Sequence, residues 1–284
     1  MSQPRHEVIL VWVLRGMAIA SGAIVLLILL FLIWETLPIL QTVGLLRFFN
    51  DPDWHPTSEE FNLLPMLWGT LLVTAGSVLL ATPLSILSAV FCRYYAPGVL
   101  ANLYQRLIEL LAGIPSVVYG FWGLVVLVPI INRIHPPGAS LLTGVLILTL
   151  MILPTITLVA EASFANVPPE YLRSCAAMGF GRWATLRAVV LPTAKSGLIA
   201  GVILATGRAI GETMAVLMVC GNVVQTPKSV FDPVRTLTAN IALEMAYAVG
   251  DHRAALFVSG LVLMAMIVGL VMAAELLNKG HIYE

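Results

Sequence analysis

Arg208 and Glu212 stand inside GRAIGETMAV, Gly207 to Val216, within a stretch from Gly197 to Val224 that otherwise reads as one apolar helix. Positions four apart on a helix lie about 40° from each other, so the two side chains share a face and can pair. Gly197, Gly201, Ala205 and Ala215 fall on that side, while Ile199, Ile203, Ile210, Met214 and Leu217 fall opposite. A charged side chain at the bilayer centre costs about 2.5 to 3.5 kcal/mol, so Arg208 is expected to face protein or a water-filled path. Two readings follow: an ion pair that locks two helices, or a guanidinium that meets an anionic solute while Glu212 holds it at rest. Arginine suits a tetrahedral oxyanion because its planar fork donates two parallel hydrogen bonds.

A second signal is GIPSVVYG, Gly113 to Gly120, where glycine and proline interrupt another apolar run. Backbone groups freed inside a membrane are tolerated where protein or a water-lined cavity satisfies them again. Pro115, Ser116 and Tyr119 are therefore candidate path residues beside Arg208 and Glu212, with a plain proline kink as the alternative.

The third signal lies in a polar segment, EASFANVPPEYLRSCAAMGFGRWATLRAVVLP, Glu161 to Pro192. Pro168 and Pro169 fit a first helical turn and Glu170 complements its dipole. Gly179 and Gly181 stand where a C-terminal stop is expected, so the pattern predicts a helix from Pro169 to Met178. Tyr171, Leu172, Cys175, Ala176 and Met178 give that helix an apolar side. A helix lying on the membrane surface and a rigid knob for a cytoplasmic partner both fit.

These residues need elements to carry them. The chain has 284 residues, 59% hydrophobic and 11% charged, with mean hydropathy +0.95, which describes an integral membrane protein. Runs of about 20 apolar residues suffice to cross the hydrocarbon as helix. They occur at Met17 to Leu40, Leu64 to Cys92, Leu107 to Ile131, Ala139 to Val159, Gly197 to Val224 and Ala254 to Leu277. The expected architecture is all-α with six transmembrane helices, the first retained rather than cleaved. Arg5, Arg15, Arg93, Arg106, Arg173, Arg182, Arg187, Lys195 and Lys279 fall on the side of the two termini. Arg47, Arg133, Lys228, Arg235 and Arg253 fall opposite, so both termini are expected to be cytoplasmic. The segments Asn50 to Asn62 and Gln225 to Arg253 then read as long polar loops outside, open to an external partner.

Formal net charge is zero, which gives no reason to expect nucleic acid. Cys92, Cys175 and Cys220 form no metal or disulfide spacing, and neither metal nor cofactor is expected. No phosphate-cradling G-x-x-x-x-G-K-[ST] occurs, so ATP-driven work would belong to another chain.

The polar segment resembles the cytoplasmic motif of ABC-importer permeases, with Gly179, Val189, Leu191 and Pro192 matching in spacing. GIPSVVYGFWG, GRAIGETMAV and TLTANIALEMAYA narrow the resemblance to the PstC-type permeases of bacterial phosphate-specific importers, from about Leu64 onward. The motif's glutamate falls on Arg173, followed by Ser174 and Cys175 in place of two alanines, and Glu170 lies one turn earlier. The resemblance implies a type I ABC importer permease in the bacterial inner membrane, non-catalytic itself, with Glu170, Arg173, Ala176, Ala177, Gly179, Leu191 and Pro192 in the ATPase coupling loop. Its implied partners are a PstA-type second permease, two PstB-type ATPase subunits and a periplasmic PstS-type phosphate-binding protein, with inorganic phosphate as cargo. Residues 1–63 then form an N-terminal segment, first helix and external loop, and 64–284 the permease domain with its loop at about 161–192. A sulfate or molybdate permease, and a proton-coupled secondary anion transporter using Arg208 and Glu212, remain the alternative readings.

Overall fold

In hydrocarbon no water can satisfy backbone N–H and C=O groups, so apolar runs of this length must coil into helices. The computed structural model describes the backbone of residues 5–279 and the side chains of residues 10–273. The side chains of Arg5 and Lys279, and the ends 1–4 and 280–284 of the expected domains, lie outside the described residues. Among the described residues, six helices are long and apolar enough to cross a membrane: Leu10–Thr42, Leu64–Tyr95, Ser116–Ile134, Leu141–Ala165, Arg182–Ile210 and Gly250–Ala273.

In chain order, helix α1 spans Arg5–Thr42. A hairpin of β1 (Trp54–His55) and β2 (Glu60–Phe61) follows, paired antiparallel with Trp54 opposite Phe61. Helix α2 (Leu64–Val90) ends in a widened π turn at Phe91–Tyr95, and α3 spans Gly98–Gly113. Helix α4 (Ser116–Trp122) continues through a second π turn, Gly123–Leu127, to Ile134. Next come α5 (Leu141–Ala165), α6 (Pro169–Ala177) and α7 (Leu191–Ile210), the last entered through Arg182–Thr185 and a π turn at Leu186–Val190. The short α8 (Met214–Val219), α9 (Leu237–Glu244) and the long α10 (Gly250–Lys279) complete the chain. Two of the π turns stand immediately before helical segments that carry Pro129 and Pro192 in their first turn. Proline lacks an N–H and crowds the carbonyl one turn back, and a wider turn accommodates both defects.

Helix α5 is the centre: 61% of its apolar window is buried inside the chain, against none for α1. It runs parallel to α2, because Ser77 Oγ donates to the Val145 carbonyl at 3.1 Å and Ser85 Oγ to the Leu153 carbonyl at 3.0 Å, at equal sequence offset. Its first N–H groups are all placed. Ser140 N bonds Val219 O at 3.1 Å, Leu141 N bonds Asp232 O at 2.9 Å, Leu142 N bonds Val230 O at 2.8 Å, and Ser140 Oγ caps Thr143 N. In the same loop Asp232 accepts the Lys228 and Ser229 N–H groups at 2.8 and 2.9 Å, which hold its carboxyl below the usual carboxylate range. That anchor is complete above the unfolded carboxylate range and is given up only as pH falls through the lowered value.

The two segments expected outside, Asn50 to Asn62 and Gln225 to Arg253, are not loose polar loops, as their composition suggested. Trp54 and Phe61 are buried, and Gln225 to Arg253 contains α9, whose Leu237, Ala239, Asn240 and Glu244 are buried too. Glu244 joins the pieces. Its Oε1 accepts from Arg235 Nη1 at 2.6 Å, and its Oε2 meets Trp54 Nε1 at 3.0 Å and His252 Nε2 at 2.8 Å. Arg235 also donates to Asn222 O and Asn240 Oδ1. One buried carboxylate thus ties the hairpin, the loop, α9 and α10 together, and apolar contacts of Ile39, Phe48, Leu63 and Met66 fill in around it.

Two of the expected spans are interrupted, and their boundaries differ from expectation. The third run does not span from Leu107: α3 stops at Gly113, Ile114 and Pro115 are extended, and the crossing helix begins at Ser116. The fifth run is not one helix to Val224 either, because α7 stops at Ile210 and α8 restarts at Met214; at its other end it begins at Arg182, well before Gly197. The two interrupted segments pack on each other at Gly120, where a Cβ would lie 2.8 Å from Ala215 Cα and 3.0 Å from Met218 Sδ.

Gly120→Val is therefore expected to force α4 off α8 and to destabilise the chain by about 1 to 3 kcal/mol, seen as a lower midpoint in a thermal melt of the detergent-purified protein. Glu244→Ala is expected to cost more, about 3 to 5 kcal/mol, because Arg235 is left half-buried without its counter-charge, and Glu244→Gln less. An unchanged midpoint in Glu244→Ala would show that the carboxylate does not hold these pieces together.

Candidate functional site

The two helix breaks create the site, and each is closed by local bonds. At the first, Leu111 O is freed by the turn at Ile114 and accepts both Ile114 N at 3.2 Å and the Tyr119 hydroxyl at 2.8 Å. Tyr119, buried, thereby clamps the end of α3 to the start of α4. Pro115 takes the extended conformation its ring permits and its carbonyl accepts Val118 N, so Pro115 and half-buried Ser116 open α4.

At the second break Gly211 closes α7, and Glu212 N reaches back to Ala209 O at 3.3 Å. The Glu212 carboxylate then turns forward: Oε1 accepts Ala215 N at 3.0 Å, capping α8, while Glu212 O accepts the Thr238 hydroxyl at 2.8 Å from α9. Glu212 is thus held by three elements.

This geometry corrects the expected pair. The helix ends between Arg208 and Glu212, so the i,i+4 relation lapses, and among the described residues no ion pair joins them. Arg208 stands exposed in the last turn of α7, where a cation complements the C-terminal dipole. It is close enough to Tyr119 to act on that hydroxyl electrostatically. Arg208 thus acts on Tyr119 through space, with Pro115 and Ser116 about one turn before Tyr119 in the chain, and Glu212 is drawn off to cap α8. Among the described residues the Arg208 guanidinium has no ion pair at this junction of broken helices, so it can receive an anion without first giving up a salt bridge.

The segment Glu161 to Pro192 follows its sequence pattern closely. Helix α6 spans Pro169–Ala177 with Glu170 in its first turn and Met178 as C-cap, one residue short of the expected end. Phe180 N bonds Cys175 O at 2.9 Å and Gly179 N bonds Ala176 O at 3.1 Å, with Gly179 at φ +77°. These are the two bonds of a Schellman stop, and only glycine adopts that φ without strain. Of the apolar side read from the sequence, Cys175 is buried, and Leu172, partly buried, packs against the cluster that holds Phe164, Leu186 and Val190. Tyr171, Met178, Phe180 and Trp183 are exposed instead, as are Arg173, Ala176, Ala177 and Pro192. Leu172 thereby rests α6 on a cluster drawn from α2, α5 and the start of α7, while Tyr171 of α6 and the following Phe180 and Trp183 present aromatic surface.

Sequence reasoning passed over Glu244, Arg235, His252 and Trp54. The available signal was a lone carboxylate in the apolar stretch NIALEMAY, of the same kind that singled out Arg208 and Glu212.

Residues 81–280 match the family of binding-protein-dependent transport system inner membrane components. The phosphate transport system permease protein PstC of Mesorhizobium japonicum is 38% identical over 255 residues, covering 82% of this chain and 76% of that protein. The probable ABC transporter permease protein YqgH of Bacillus subtilis is 41% identical over 79% of this chain and 74% of its own length. Among solved structures, a bacterial alginate ABC transporter superposes over 93% of this chain and 92% of that chain at TM-score 0.65 and 16% identity. The MetNI methionine ABC transporter, in inward-facing conformations, covers 77% of this chain and 95% of that chain at TM-score 0.62 and 19% identity. The fold is that of a type I ABC importer permease, the helices make it a multi-pass membrane protein, and the chain belongs to the binding-protein-dependent transport system inner membrane component family.

Proposed function

We propose that this chain is the membrane-spanning permease subunit of an ATP-driven inorganic phosphate importer. The observation that carries the reading is 38% identity across 82% of the chain to a phosphate transport permease. The exposed guanidinium of Arg208 gives that reading a chemical site. The chain forms half of a path with a second, PstA-type permease, receives phosphate from a periplasmic PstS-type binding protein, and is driven by two PstB-type ATPase subunits. It hydrolyses nothing itself. It sits in the bacterial inner membrane with both termini in the cytoplasm, a placement supported by the excess of Lys and Arg on the terminal side. Residues 64–284 act as the permease domain, and 1–63 as an added helix and external segment.

In this reading Arg208 is the anion contact, and Tyr119, Ser116 and Pro115 line the path at its side. Phosphate must shed water to pass, and a positioned guanidinium replaces part of that shell with charge-assisted hydrogen bonds. Glu212 serves by shaping the break instead of by pairing with Arg208, which leaves Arg208 open and removes the basis for a proton carrier at Glu212. Helix α6, with Glu170, Arg173, Ala176, Ala177 and Gly179, docks on the ATPase, and Leu191 and Pro192 carry its movement into α7.

Radiolabelled phosphate uptake by proteoliposomes holding the whole complex tests the path. Losing one charge-assisted contact is worth about 1.5 to 3 kcal/mol, so Arg208→Gln is expected to lower uptake by about 10- to 100-fold at equal complex abundance. Arg208→Lys should retain only part of it, because a point charge does not reproduce the fork. Excess sulfate should not compete. Full uptake in Arg208→Gln would remove Arg208 from the path.

For the coupling helix, Gly179→Val places a branched residue at positive φ, a strain of about 1 to 2 kcal/mol, in a spot where a Cβ meets no other atom. The effect on transport should then come through the shape of the helix stop alone. Phosphate uptake is expected to fall while basal ATPase activity persists, and Gly179→Asn, which tolerates this φ, should restore most of it. Wild-type uptake in Gly179→Val would count against the coupling role.

A further inference from the structure

Helix α9 is eight residues long and sunk in the protein, with Leu237, Thr238, Ala239, Asn240 and Glu244 all buried. Its two ends meet different parts of the molecule. At the first, the Thr236 and Thr238 hydroxyls lie 3.0 Å apart, and Thr238 Oγ1 donates to the Glu212 carbonyl at 2.8 Å. A hydroxyl has one proton. Because Thr238 gives its own to Glu212, Thr236 donates to Thr238, while Thr236 Oγ1 accepts Ala239 N at 3.2 Å. Thr70 Oγ1 of α2 accepts Leu237 N at 3.0 Å and fixes the same end. The hydroxyl bonds therefore run in one direction, from the cap of α9 to the turn between α7 and α8.

At the second end Glu244 holds Trp54 of the hairpin, Arg235 of the loop and His252 of α10. Thr238 and Glu244 are separated by about 9 Å of helix at 1.5 Å per residue. Close-packed interiors have low compressibility and transmit strain, so a buried helix bonded at both ends behaves as a strut. The turn it reaches is the one that matters for the anion: Glu212 follows the last turn of α7, where Arg208 stands, and caps α8 through Oε1. We propose that Thr238 is a positioning residue for the anion site, and that α9 carries to that site the state of the outer clamp at Glu244. With the clamp closed, the Glu212 carbonyl is held and the end of α7 keeps its place. With the clamp loosened, the turn and the cap of α8 loosen with it. The role of Arg208 rests on the function proposed above, whereas the coupling belongs to the fold and is the same for any anion.

Hydrogen–deuterium exchange of the assembled transporter in nanodiscs, read by mass spectrometry over Glu212 to Val216, tests this without cargo, because the Ala215 amide is protected by Glu212 Oε1. Thr238→Val keeps the branched shape and removes the hydroxyl, so exchange of this segment is expected to rise by about 10-fold, as one lost hydrogen bond would give. Thr238→Ser keeps the hydroxyl and should stay near the wild type. Glu244→Gln, at the far end of the strut, should raise exchange in the same segment by a smaller factor, and should add nothing once Thr238→Val is present. Sites that do not communicate would instead add their effects. Phosphate uptake by the same complexes in proteoliposomes should fall in Thr238→Val at equal abundance and return in Thr238→Ser. Wild-type exchange or uptake in Thr238→Val, no rescue by Thr238→Ser, or additive effects in the double variant would overturn the proposal. Should Thr238→Val not assemble, unchanged exchange at Glu212 to Val216 in Glu244→Gln overturns it alone. A wild-type complex that imports no phosphate would sink the cargo reading and leave the exchange results to decide the strut.

Discussion

Everything in this fold depends on keeping backbone N–H and C=O groups satisfied where water is absent. Unbroken helices do so internally, but a solute path requires that helices be broken, and each break frees groups that must be met elsewhere. At Gly113 to Pro115 the Tyr119 hydroxyl meets the Leu111 carbonyl, and at Gly211 to Thr213 the Glu212 carboxylate and the Thr238 hydroxyl complete the turn. The same constraint explains the start of α5, where loop carbonyls from Val219, Val230 and Asp232 receive its first N–H groups. Loops that looked merely polar therefore close the ends of buried helices.

This division of labour bears on function. Had Arg208 and Glu212 paired, an incoming anion would have had to break a salt bridge before binding. With Glu212 committed to α8 and α9, no ion pair among the described residues holds Arg208, which stands exposed in the last turn of α7. A lone guanidinium attracts an anion strongly, yet an exposed one is hydrated and screened, which keeps the contact weak enough for release. Gly120 and Ala215 bring the two broken segments into close backbone approach, so the two breaks share one packed junction.

Much of this was legible in the residues. The spans followed from apolar run length, and α6 from two prolines, an acidic first turn and Gly179, because helix ends are set by neighbours in sequence. The break at Ile114 and Pro115 was legible for the same reason. The stop at Ile210 was not: GET interrupts an apolar window with no proline, and the turn after it is tied by a hydrogen bond from Thr238 to the Glu212 carbonyl, 26 positions away. Glu244 was passed over because its partner Trp54 lies 190 positions away, and no local pattern announces a contact of that range. Glu170 stands in the first turn of α6, where the order of residues placed it.

The central claim is that Arg208 faces a hydrated anion path and is not locked into the protein. Cysteine accessibility measures this directly, since native Cys92, Cys175 and Cys220 are buried and give little background. The assembled transporter carrying Arg208→Cys would be exposed to a charged, membrane-impermeant methanethiosulfonate in inside-out and right-side-out vesicles, with and without ATP turnover. The account predicts modification whose rate changes with turnover and falls when phosphate and its binding protein are supplied. A thiol at position 208 that stays unreactive from both sides under every condition would contradict it.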